Sequence, residues 1–519
     1  MCGIAGIVNL RGNPVEPAEI SRLTSLIAHR GPFGEGTWFN AKRNVAFGHR
    51  RLAIIDPGEG GYQPMVSGDG RHVIVYNGEI YNFLELRREL EAKGAVFRSQ
   101  SDTEVILAAW QAWGEDMLLR FNGMWALAIY DTATDELFLA RDRFGIKPML
   151  YALSSERFVF ASEQRALARS GLLETSLDID VARRLLLDPF GIEGSERTLY
   201  SQVRRLQGGH CMWLRQGRVQ VRRWWRTVDH LPAIPQTETE RVARFRDLFQ
   251  DSVALRMRSD VPIGTCLSGG FDSSAVICAM ASHEKAGMGP RDSTAWRHAF
   301  VATFPGASND ERPMAEEAAA WADVAPSFLE IGRADALTDL DRILDDNDDV
   351  YIGLPSAPWL IYRELRRQNV TVSLDGHGAD ELMGAYFQEG QSAAFRIRNA
   401  AAALMSRSRL AQRGIDFLRA QMISRQGRYF LRGGLTAIPA ALPLVAENDE
   451  LPDTWGALNR RLYRMFHSTT LPTILRNFDR LSMAHGIEVR MPFMDWRLVT
   501  YTMALPETSK SADGMTKVV

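Results

Sequence analysis

Short β-like runs separated by Gly, Asn and Asp dominate the first 160 residues. Examples are GIAGIVNL, HVIVYNG, MWALAIYD and ELFLARD. The last two runs are joined by the polar segment TATD, which predicts an antiparallel hairpin. Between the strands, FLELRRELEAKG predicts a helix with Gly94 at its C-terminal cap. We therefore expect an α+β first part that is rich in antiparallel sheet.

The order of predicted elements changes after about residue 235, where strand-like and helix-like segments alternate. VPIGTCL, HAFVATF and VTVSLDG are each followed by a helix-like segment, respectively SAVICAMASHEKAG, DERPMAEEAAAWADVA and ADELMGAY. Such alternation predicts a parallel sheet covered by crossover helices. The region 201–240, which contains QGG, RRWWR and PQTETE, is interpreted as the join between the two parts. AAAAL at 400–404 predicts an Ala-rich helix.

Length and composition narrow the class of protein. At ~150 residues per domain, 519 residues make roughly three domains or two large ones. Hydrophobic residues at 45% and charged residues at 24% are ordinary globular proportions and exclude a filament or a disordered chain. With 61 Lys and Arg against 63 Asp and Glu, the net charge of −2 creates no field that attracts nucleic acid or acidic membrane. Neither is expected as a partner.

The four cysteines form no CxxC pair of the kind used by zinc sites and redox dithiols. The N-terminus lacks a basic segment followed by a long apolar stretch, and no run of ~18 uncharged apolar residues occurs. These features favour a reducing compartment, and we expect a soluble, cytoplasmic protein.

Cys2 directly follows the initiator Met1. Removal of Met1 would leave a cysteine with a free α-amine beside its own thiol. Since an α-amine has a reference pKa of about 7.7–8.0, it can act as general base toward the thiol without a histidine. A cysteine at position 2 is more often only a small residue near the chain start, so its neighbours must decide.

Three segments, RLAIID at 51–56, YNGEIYN at 76–82 and SDTE at 101–104, occur together with MCGIAGI, HRGP and RDRFGIKP. In order and spacing they resemble the glutaminase domain of class II glutamine amidotransferases. Singly, NGE would read as a turn and SDTE as a helix cap. The resemblance implies an N-terminal-nucleophile sandwich in which Cys2 attacks the glutamine side-chain amide, forms a thioester and releases ammonia.

The same resemblance assigns roles to individual residues. Asn77 and the backbone amide of Gly78 resemble an oxyanion hole, whose donors must be fixed before charge develops on the carbonyl oxygen. Arg51 would hold the α-carboxylate of glutamine. Asp102, supported by Glu79, would receive its α-ammonium.

In the second part, CLSGGFDSS at 266–274 lies between a strand-like run and a helix. Its Ser and Gly amides can form an anion-binding turn at a helix N-terminus. The terminal GK[ST] of a Walker A loop is absent, and the turn resembles the pyrophosphate loop of enzymes that split ATP into AMP and pyrophosphate. The alternative is a Gly-rich turn with Asp272 as a helix cap. The phosphate-binding residues of the turn would be Ser268, Gly269, Gly270, Asp272 and Ser273.

SLDGHGADELMGAY at 373–386 and DRLSMAHGIEVRMPFMD at 479–495 resemble the synthetase half of glutamine-dependent asparagine synthetase. The resemblance implies that Asp272 and Asp380 hold Mg²⁺, a cation that prefers oxygen ligands. It also implies that Arg490 and Lys517 neutralise phosphate charge. The positions implied to bind the nucleotide are Leu267, Ala302, Asp375 and Gly376.

Nearly the whole chain resembles the glutamine-hydrolysing asparagine synthetase family. This implies a glutamine amidotransferase domain at 2–200, a linker region at 201–240 and an α/β parallel-sheet ATP-pyrophosphatase (synthetase) domain at 241–519. The implied substrates are glutamine, ATP and aspartate, with Mg²⁺ as the cation. MgATP would adenylate the carboxylate, and ammonia from the Cys2 site would reach the acyl-adenylate through an internal tunnel.

Two departures from the family pattern bear on the acceptor. The usual SGEG is DGHG here, so that His377 replaces a Glu tied to intermediate formation and Asp375 replaces a Ser. An unperturbed His377, with a pKa near 6.5, would make ammonia-dependent synthesis fall below about pH 6.5. The sequence also stops shortly after Lys517, where relatives continue, and a missing C-terminal helix would leave part of the acceptor site open.

Three other functions compete with asparagine synthesis. The same scaffold could amidate another carboxylate, such as a sugar acid or a biosynthetic intermediate. A lactam-forming cyclase would not need the intact glutaminase residues. A regulatory protein without turnover would be expected to lose its nucleophile or its metal carboxylates, and neither loss is seen. Homodimerisation is left open.

Overall fold

The computed structural model describes residues 2–188, 190–307, 310–351, 355–385, 444, 449–512 and 515–518. The Ala-rich helix predicted at 400–404 lies outside the described residues. The strands are β1 Gly3–Asn9, β2 Gly34–Phe39, β3 Val45–Arg51, β4 Met65–Val66, β5 His72–Ile80, β6 Gly123–Asp131, β7 Glu136–Arg141, β8 Leu150–Leu153, β9 Arg157–Ala161, β10 Arg204–Arg205, β11 His210–Arg215, β12 Arg218–Arg223, β13 Ile263–Cys266, β14 His298–Thr303, β15 Pro326–Glu330, β16 Val372–Leu374, β17 Glu488–Arg490, β18 Ser511–Ala512 and β19 Met515–Thr516.

Helices alternate with these strands most regularly in the second part. They are α1 Pro17–Ser25, α2 Phe83–Ala92, α3 Asp102–Trp113, α4 Met117–Arg120, α5 Gln164–Arg169, α6 Ile179–Leu187, α7 Glu238–Arg256, α8 Phe271–Ala286, α9 Arg312–Trp321, α10 Asp335–Thr338, α11 Leu340–Asn347, α12 Ser356–Arg367, α13 Ala379–Met383, α14 Ala457–His467, α15 Thr470–Met483 and α16 Trp496–Ala504. Among the described residues, none of these helices is long and apolar enough to span a membrane.

Two antiparallel sheets pack face to face in the first part. Their strand orders are β10-β8-β9-β1-β3-β2 and β12-β11-β7-β6-β5-β4. Since side chains alternate along a strand, Phe47 of β3 and Val75 of β5 point into the apolar layer between the sheets. Helix α1 covers the first sheet and α3 covers the second. The predicted β6–β7 hairpin is confirmed, and the layers form an α+β sandwich.

The segment 201–240, interpreted from sequence as a join, differs in the structure. Residues 204–223 add β10 to the first sheet and β11 and β12 to the second. The physical reason is burial, because Cys211, Met212 and Leu214 of β11 pack into the layers on either side of the second sheet. Only the stretch between Arg223 and Glu238 runs from one part to the other.

The second part has the predicted parallel sheet, with strand order β15-β14-β13-β16-β17. Every neighbouring pair in this sheet is parallel, as crossover helices require. Helix α8 follows β13, α9 follows β14 and α12 leads into β16. The loops after β13 and β16 therefore meet at one edge, where open parallel sheets place ligands.

Buried ion pairs join the two parts. Arg30 of the first part lies 2.9 Å from Glu163 and 2.9 Å from Asp479 of α15, and Arg480 lies 3.0 Å from Glu163. All four side chains are at most 5% exposed. Because a buried charge is costly unless it is paired, these contacts hold the two parts in one relative orientation.

Candidate active sites

The first candidate site is the polar end of the layer between the two sheets. On β3, alternation places His49 and Arg51 on the same face as buried Phe47. On β5 it places Asn77 on the same face as Val75. The apolar core thus ends in a set of polar side chains at the chain's N-terminal strand.

Cys2 and Asn77 are in direct contact. The backbone nitrogen of Cys2 donates to Asn77 Oδ1 at 2.8 Å. Asn77 Nδ2 is buried and has no hydrogen-bond partner among the described residues, which leaves a fixed donor beside the nucleophile. Burial raises the pKa of the Cys2 thiol. A Cβ on Gly78 would lie 2.1 Å from the Met124 carbonyl oxygen, so only glycine fits between β5 and β6 at this point.

Arg51 is aimed by backbone carbonyls. It donates to the carbonyls of Asp56 and Gly58, the second at 2.7 Å, and its guanidinium lies 4.7 Å from the centre of the Tyr62 ring. The side chain is therefore fixed in place with no acidic partner in the described part of the chain, as suits a group that binds a carboxylate.

Asp102, at the start of α3, is fixed by β5. Its Oδ2 accepts hydrogen bonds from the Tyr76 hydroxyl at 2.9 Å and from the Ile80 amide at 3.1 Å. Burial raises the pKa of Asp102 to about 6. Burial and the charge of Asp102 also raise the pKa of Glu79 well above its usual value. Two buried carboxylates thus lie close together, and an arriving ammonium group would stabilise both in ionised form.

Arg490 does not lie at the phosphate loop, contrary to the role implied by the family resemblance. Its guanidinium is fully buried, with Nε 2.7 Å from Glu488 Oε1 and Nη2 3.3 Å from Glu79 Oε2. Nη1 donates to the carbonyls of Arg256 and Arg258. The guanidinium faces the first part through Glu79, and its other nitrogens are bound by Glu488, Arg256 and Arg258 of the second part.

Three residues of this site were missed from sequence. Tyr76 holds Asp102, and Glu488 holds Arg490. His49 is 1% exposed and lies on the same face of β3 as Arg51. Burial lowers the pKa of His49 to about 3, so the ring is neutral. Strand alternation from Arg51 points to His49, whereas Glu488 becomes a site residue only through packing between the two parts.

The second candidate site begins with the loop between β13 and α8. Gly269 has a φ of +85°, and a Cβ there would lie 2.7 Å from the Ala315 nitrogen. Ser268 and Ser273 join their hydroxyls at 3.1 Å, and Ser268 Oγ also accepts from the Gly270 amide at 3.2 Å. Gly270 is the N-cap of α8 and provides no side-chain cap, which leaves the helix N-terminus available to an anion.

Asp272 and Asp380 converge on one cation, the ammonium group of Lys517. Lys517 Nζ lies 2.6 Å from both carboxylate oxygens of Asp272 and 2.6 Å from Asp380 Oδ1. An ammonium held by three carboxylate oxygens marks a position that also suits a hard divalent cation. Because the described residues contain no cluster of three or more metal-ligating side chains, phosphate oxygens and water would complete the coordination.

Asp375 turns its carboxylate into the protein. Oδ2 accepts from the Tyr362 hydroxyl at 2.8 Å, and Oδ1 accepts from the Ser373 hydroxyl at 2.5 Å and from the Cys266 amide at 3.3 Å. The side chain is 2% exposed. Only the backbone of Asp375 is therefore placed to contact a nucleotide.

The loop after β16 packs closely on the loop after β13. A Cβ on Gly376 would lie 2.7 Å from Asp272 Cβ, so these two predicted nucleotide positions are in contact. Leu267 is buried and its amide donates to the Phe300 carbonyl at 2.8 Å. Ala302 lies two residues further along β14. The sheet thus brings the predicted nucleotide positions to one edge.

His377 lies on this loop with its ring centre 3.9 Å from that of Phe478. Its Nδ1 has no hydrogen-bond partner among the described residues. Burial lowers the pKa of His377 from its ordinary value. The expectation of an unperturbed imidazole is therefore wrong, and the ring stays neutral to lower pH than the sequence suggested.

Comparisons with known proteins cover both parts. A family model described as a glutamine amidotransferase domain matches residues 1–225, and one described as asparagine synthase matches residues 244–519. Asparagine synthetase [glutamine-hydrolyzing] 3 of Bacillus subtilis is 31% identical over 100% of this chain and 83% of its own length. A putative asparagine synthetase of Mycobacterium tuberculosis H37Rv is 31% identical over 100% of this chain and 84% of its own.

Solved structures give a weaker likeness. Glutamine phosphoribosylpyrophosphate amidotransferase from B. subtilis, complexed with ADP and GMP, matches with a TM-score of 0.34 and 18% identity. The match covers 63% of this chain and 81% of that one.

Proposed function

Since this chain belongs to the glutamine-hydrolysing asparagine synthetase family, we propose that it makes asparagine from aspartate, glutamine and ATP, with AMP, pyrophosphate and glutamate as the other products. The observation that carries the proposal is the presence of two distinct candidate sites in one chain. One site holds a cysteine against a free amide donor, and the other gathers two carboxylates and a lysine at a phosphate-type loop.

Glutamine hydrolysis would take place at Cys2. With Met1 removed, the α-amine of Cys2 would accept the thiol proton as the sulfur attacks the side-chain carbonyl of glutamine. Asn77 Nδ2 and the Gly78 amide would stabilise the oxyanion. Arg51 would hold the substrate carboxylate. The proton returns with the leaving ammonia, and water then releases glutamate from the thioester.

Carboxylate activation would take place at the loop between β13 and α8. The helix N-terminus and Ser268 would bind the pyrophosphate portion of ATP. Mg²⁺, when bound by Asp272 and Asp380, supplies positive charge that stabilises the departing pyrophosphate. Lys517 would pass from the carboxylates to the phosphates. Ammonia then attacks the acyl-adenylate, forming the amide bond and releasing AMP.

In this proposal the ammonia would cross the seam between the two parts, where buried groups connect them. Arg30 Nε donates to the Cys2 carbonyl at 3.2 Å, and the same side chain reaches Asp479 of the second part. Lys147 lies beside Asp479 at 3.9 Å and is 1% exposed. The nucleophile is thus connected to the synthetase part through buried groups.

One observation favours a second candidate function, in which the amidated substrate is a carboxylate other than aspartate. His377, where the family usually has a glutamate, packs against Phe478, and burial lowers its pKa. An amidotransferase acting on another carboxylate, such as a sugar acid, would share every other feature of the two sites.

The test is pyrophosphate release by purified protein with MgATP, glutamine and a panel of carboxylates. Aspartate is expected to be the best acceptor by kcat/KM, with one glutamate released per pyrophosphate. If a sugar acid or another biosynthetic acid is preferred, the second candidate is correct. Absence of pyrophosphate release with every acceptor would contradict both.

A further inference from the structure

Lys510 is a buried lysine that the proposed chemistry does not use. It follows the short helical turn Glu507–Ser509, directly precedes β18 and is 1% exposed. Its Nζ donates to Asn459 Oδ1 at 2.6 Å. Burial lowers the pKa of Lys510 to about 7, which reflects the free-energy cost of placing an ammonium group there. Because an apolar side chain would fill the same space without that cost, the amine is better explained by what it positions than by the stability it adds.

The backbone of Lys510 holds the backbone of Lys517. Strands β18 and β19 pair antiparallel with Ser511 opposite Thr516, so that Lys510 and Lys517 follow as the next opposite residues. The Lys517 amide donates to the Lys510 carbonyl at 2.9 Å. Lys517 has a φ of +59°, a left-handed conformation that a residue with a Cβ keeps only when its surroundings impose it. The position of Lys510 therefore sets the position from which the Lys517 side chain starts.

Asn459, the partner of Lys510, belongs to a helix that packs beside the metal carboxylates. It lies in the first turn of α14 and is 3% exposed, and its side-chain amide also donates to a backbone carbonyl. Its own backbone amide donates to Glu507 Oε1 at 2.8 Å. Helix α14 packs against α13, which carries Asp380, and Asp380 lies 2.6 Å from Lys517 Nζ. The terminal hairpin is thus tied to α14 at one end and reaches α13 at the other.

We propose that Lys510 is a positioning residue that holds Lys517 where its ammonium group can reach the phosphates of ATP. The inference rests on the proposed function, in which Lys517 passes from Asp272 and Asp380 to the phosphates. A side chain that exchanges its partners in this way is held only by its backbone during the exchange. The bond from Lys510 to Asn459 fixes that backbone, so that the ammonium group arrives in the geometry that the reaction requires.

The central test combines two substitutions and measures ammonium-dependent pyrophosphate release at saturating concentrations of MgATP and the best carboxylate acceptor. Lys510→Met keeps an unbranched side chain of similar length but loses the donor to Asn459. It should lower kcat by about ten- to a hundredfold, because a misplaced cation stabilises the transition state poorly. The KM for ATP should stay within about twofold, since the lost interaction forms mainly in the transition state.

The second substitution separates positioning from general stability. Lys517→Met removes the cation itself and should lower kcat by about a hundredfold or more. Adding Lys510→Met to Lys517→Met should lower kcat no further, because no ammonium group is left to position. A residue with a merely structural role would lower kcat by the same factor in both backgrounds.

Lys285→Met is the matched control, with the same chemical change in the same part of the chain. Lys285 is exposed near the end of α8, where it lies 4.9 Å from the centre of the Trp321 ring. This variant should keep the wild-type kcat. Asn459→Ala removes the acceptor instead of the donor and serves if the melting temperature shows that Lys510→Met folds poorly. It should also lower kcat, and it should do so only when Lys517 is present.

A second measurement reports the position of Lys517 without any turnover. The Lys517 side chain is 15% exposed and its Nζ lies among carboxylate oxygens of Asp272 and Asp380. Brief labelling with acetic anhydride, followed by mass spectrometry, measures how readily this amine is reached. The rate of labelling at Lys517 should rise several-fold in Lys510→Met and stay unchanged in Lys285→Met.

The outcomes distinguish this inference from the proposed function. A loss of kcat in Lys510→Met that is equally large with and without Lys517 overturns the inference. Wild-type kcat and wild-type labelling in Lys510→Met do the same. A wild type that releases no pyrophosphate with any acceptor overturns the proposed function. The labelling then decides alone, since an unchanged rate at Lys517 would show that Lys510 does not hold it and a raised rate would show that it does.

Discussion

The two candidate sites are built in opposite ways. The glutaminase site is enclosed between two sheets, and its groups are already held by protein atoms, as Asp102 is by Tyr76 and Arg51 is by two backbone carbonyls. The synthetase site is at the open edge of a parallel sheet, where Lys517 is the one cation paired with Asp272 and Asp380 among the residues that the structure describes. The first site is preformed, whereas the second needs its ligands to be complete.

The largest effect expected from this contrast is that of Cys2→Ala. We expect glutamine hydrolysis to fall by at least about a thousandfold, because the nucleophile is lost, while synthesis from ammonium salts continues. Glutamate release and ammonium-dependent pyrophosphate release from the same preparation test this. Mass spectrometry should show that Met1 is absent from the wild type. Glutamate release that survives in the variant would remove Cys2 as nucleophile.

The next prediction concerns the two carboxylates proposed to bind Mg²⁺, whose loss should stop synthesis but not glutamine hydrolysis. Asp272→Asn and Asp380→Asn should each lower synthesis by about a hundredfold or more with either nitrogen source, since the cation loses a charged ligand. Basal glutaminase activity should stay within about twofold. Exposed Asp341 of α11 supplies the control Asp341→Asn, which should change neither activity. Pyrophosphate formation at the wild-type rate in either site variant would contradict the assignment.

The sequence predicted the preformed site better than the ligand-dependent one. Cys2 directly precedes β1, Arg51 ends the neighbouring β3, and Asn77 lies on β5 of the facing sheet. Strand alternation fixes which side chains of each motif face the layer between the sheets, where Asn77 contacts Cys2. The sequence did not predict the contact between Arg490 and Glu79. The two residues are 411 positions apart, and only the packing of β17 against the first part brings them together.

Asp375 shows, within one domain, that a motif does not predict contacts made by residues distant in sequence. The sequence predicted it as a nucleotide-binding residue, but its carboxylate turns inward and accepts a hydrogen bond from the Tyr362 hydroxyl of α12. The role of 204–223 as sheet strands was equally hidden. In sequence these short segments resemble a linker. They form strands because β11 pairs with β7, and this pairing could not be predicted from the local pattern.

A smaller effect should follow from removing one buried charge of the preformed site. Asp102→Asn should raise the KM for glutamine by on the order of tenfold, because the amide cannot pair with the α-ammonium. Burial raises the pKa of Asp102 to about 6, so the carboxylate is ionised above that pH and protonated below it. In the wild type the KM should therefore rise as the pH falls through about 6, and in Asp102→Asn this rise should be absent.

Ser101→Ala is the control for helix stability at the same place. The Ser101 side chain caps α3 by accepting from the Thr103 amide, and losing it costs about 1 kcal/mol without changing any charge. It should keep the pH dependence of the wild-type KM. If the KM of the wild type is flat between pH 5 and 8, Asp102 does not bind the ammonium group.

The smallest effect is expected at His377, which lies in the ligand-dependent site but is itself buried. Its pKa is lowered by burial, so the imidazole is neutral above that lowered value and loses basic character only as the pH falls below it. Ammonia-dependent synthesis, measured at constant ammonia concentration, should therefore persist below pH 6.5 and decline only under more acidic conditions. His377→Glu should move this decline by less than about one pH unit, because both groups accept protons there. It should also favour aspartate over other carboxylates by a few fold, since it restores the residue usual in the family.

A matched His377→Gln variant lacks a titrating group and separates proton transfer from packing against Phe478. An acid limb and an acceptor preference that are the same in all three proteins would mean that His377 only fills space beside Phe478.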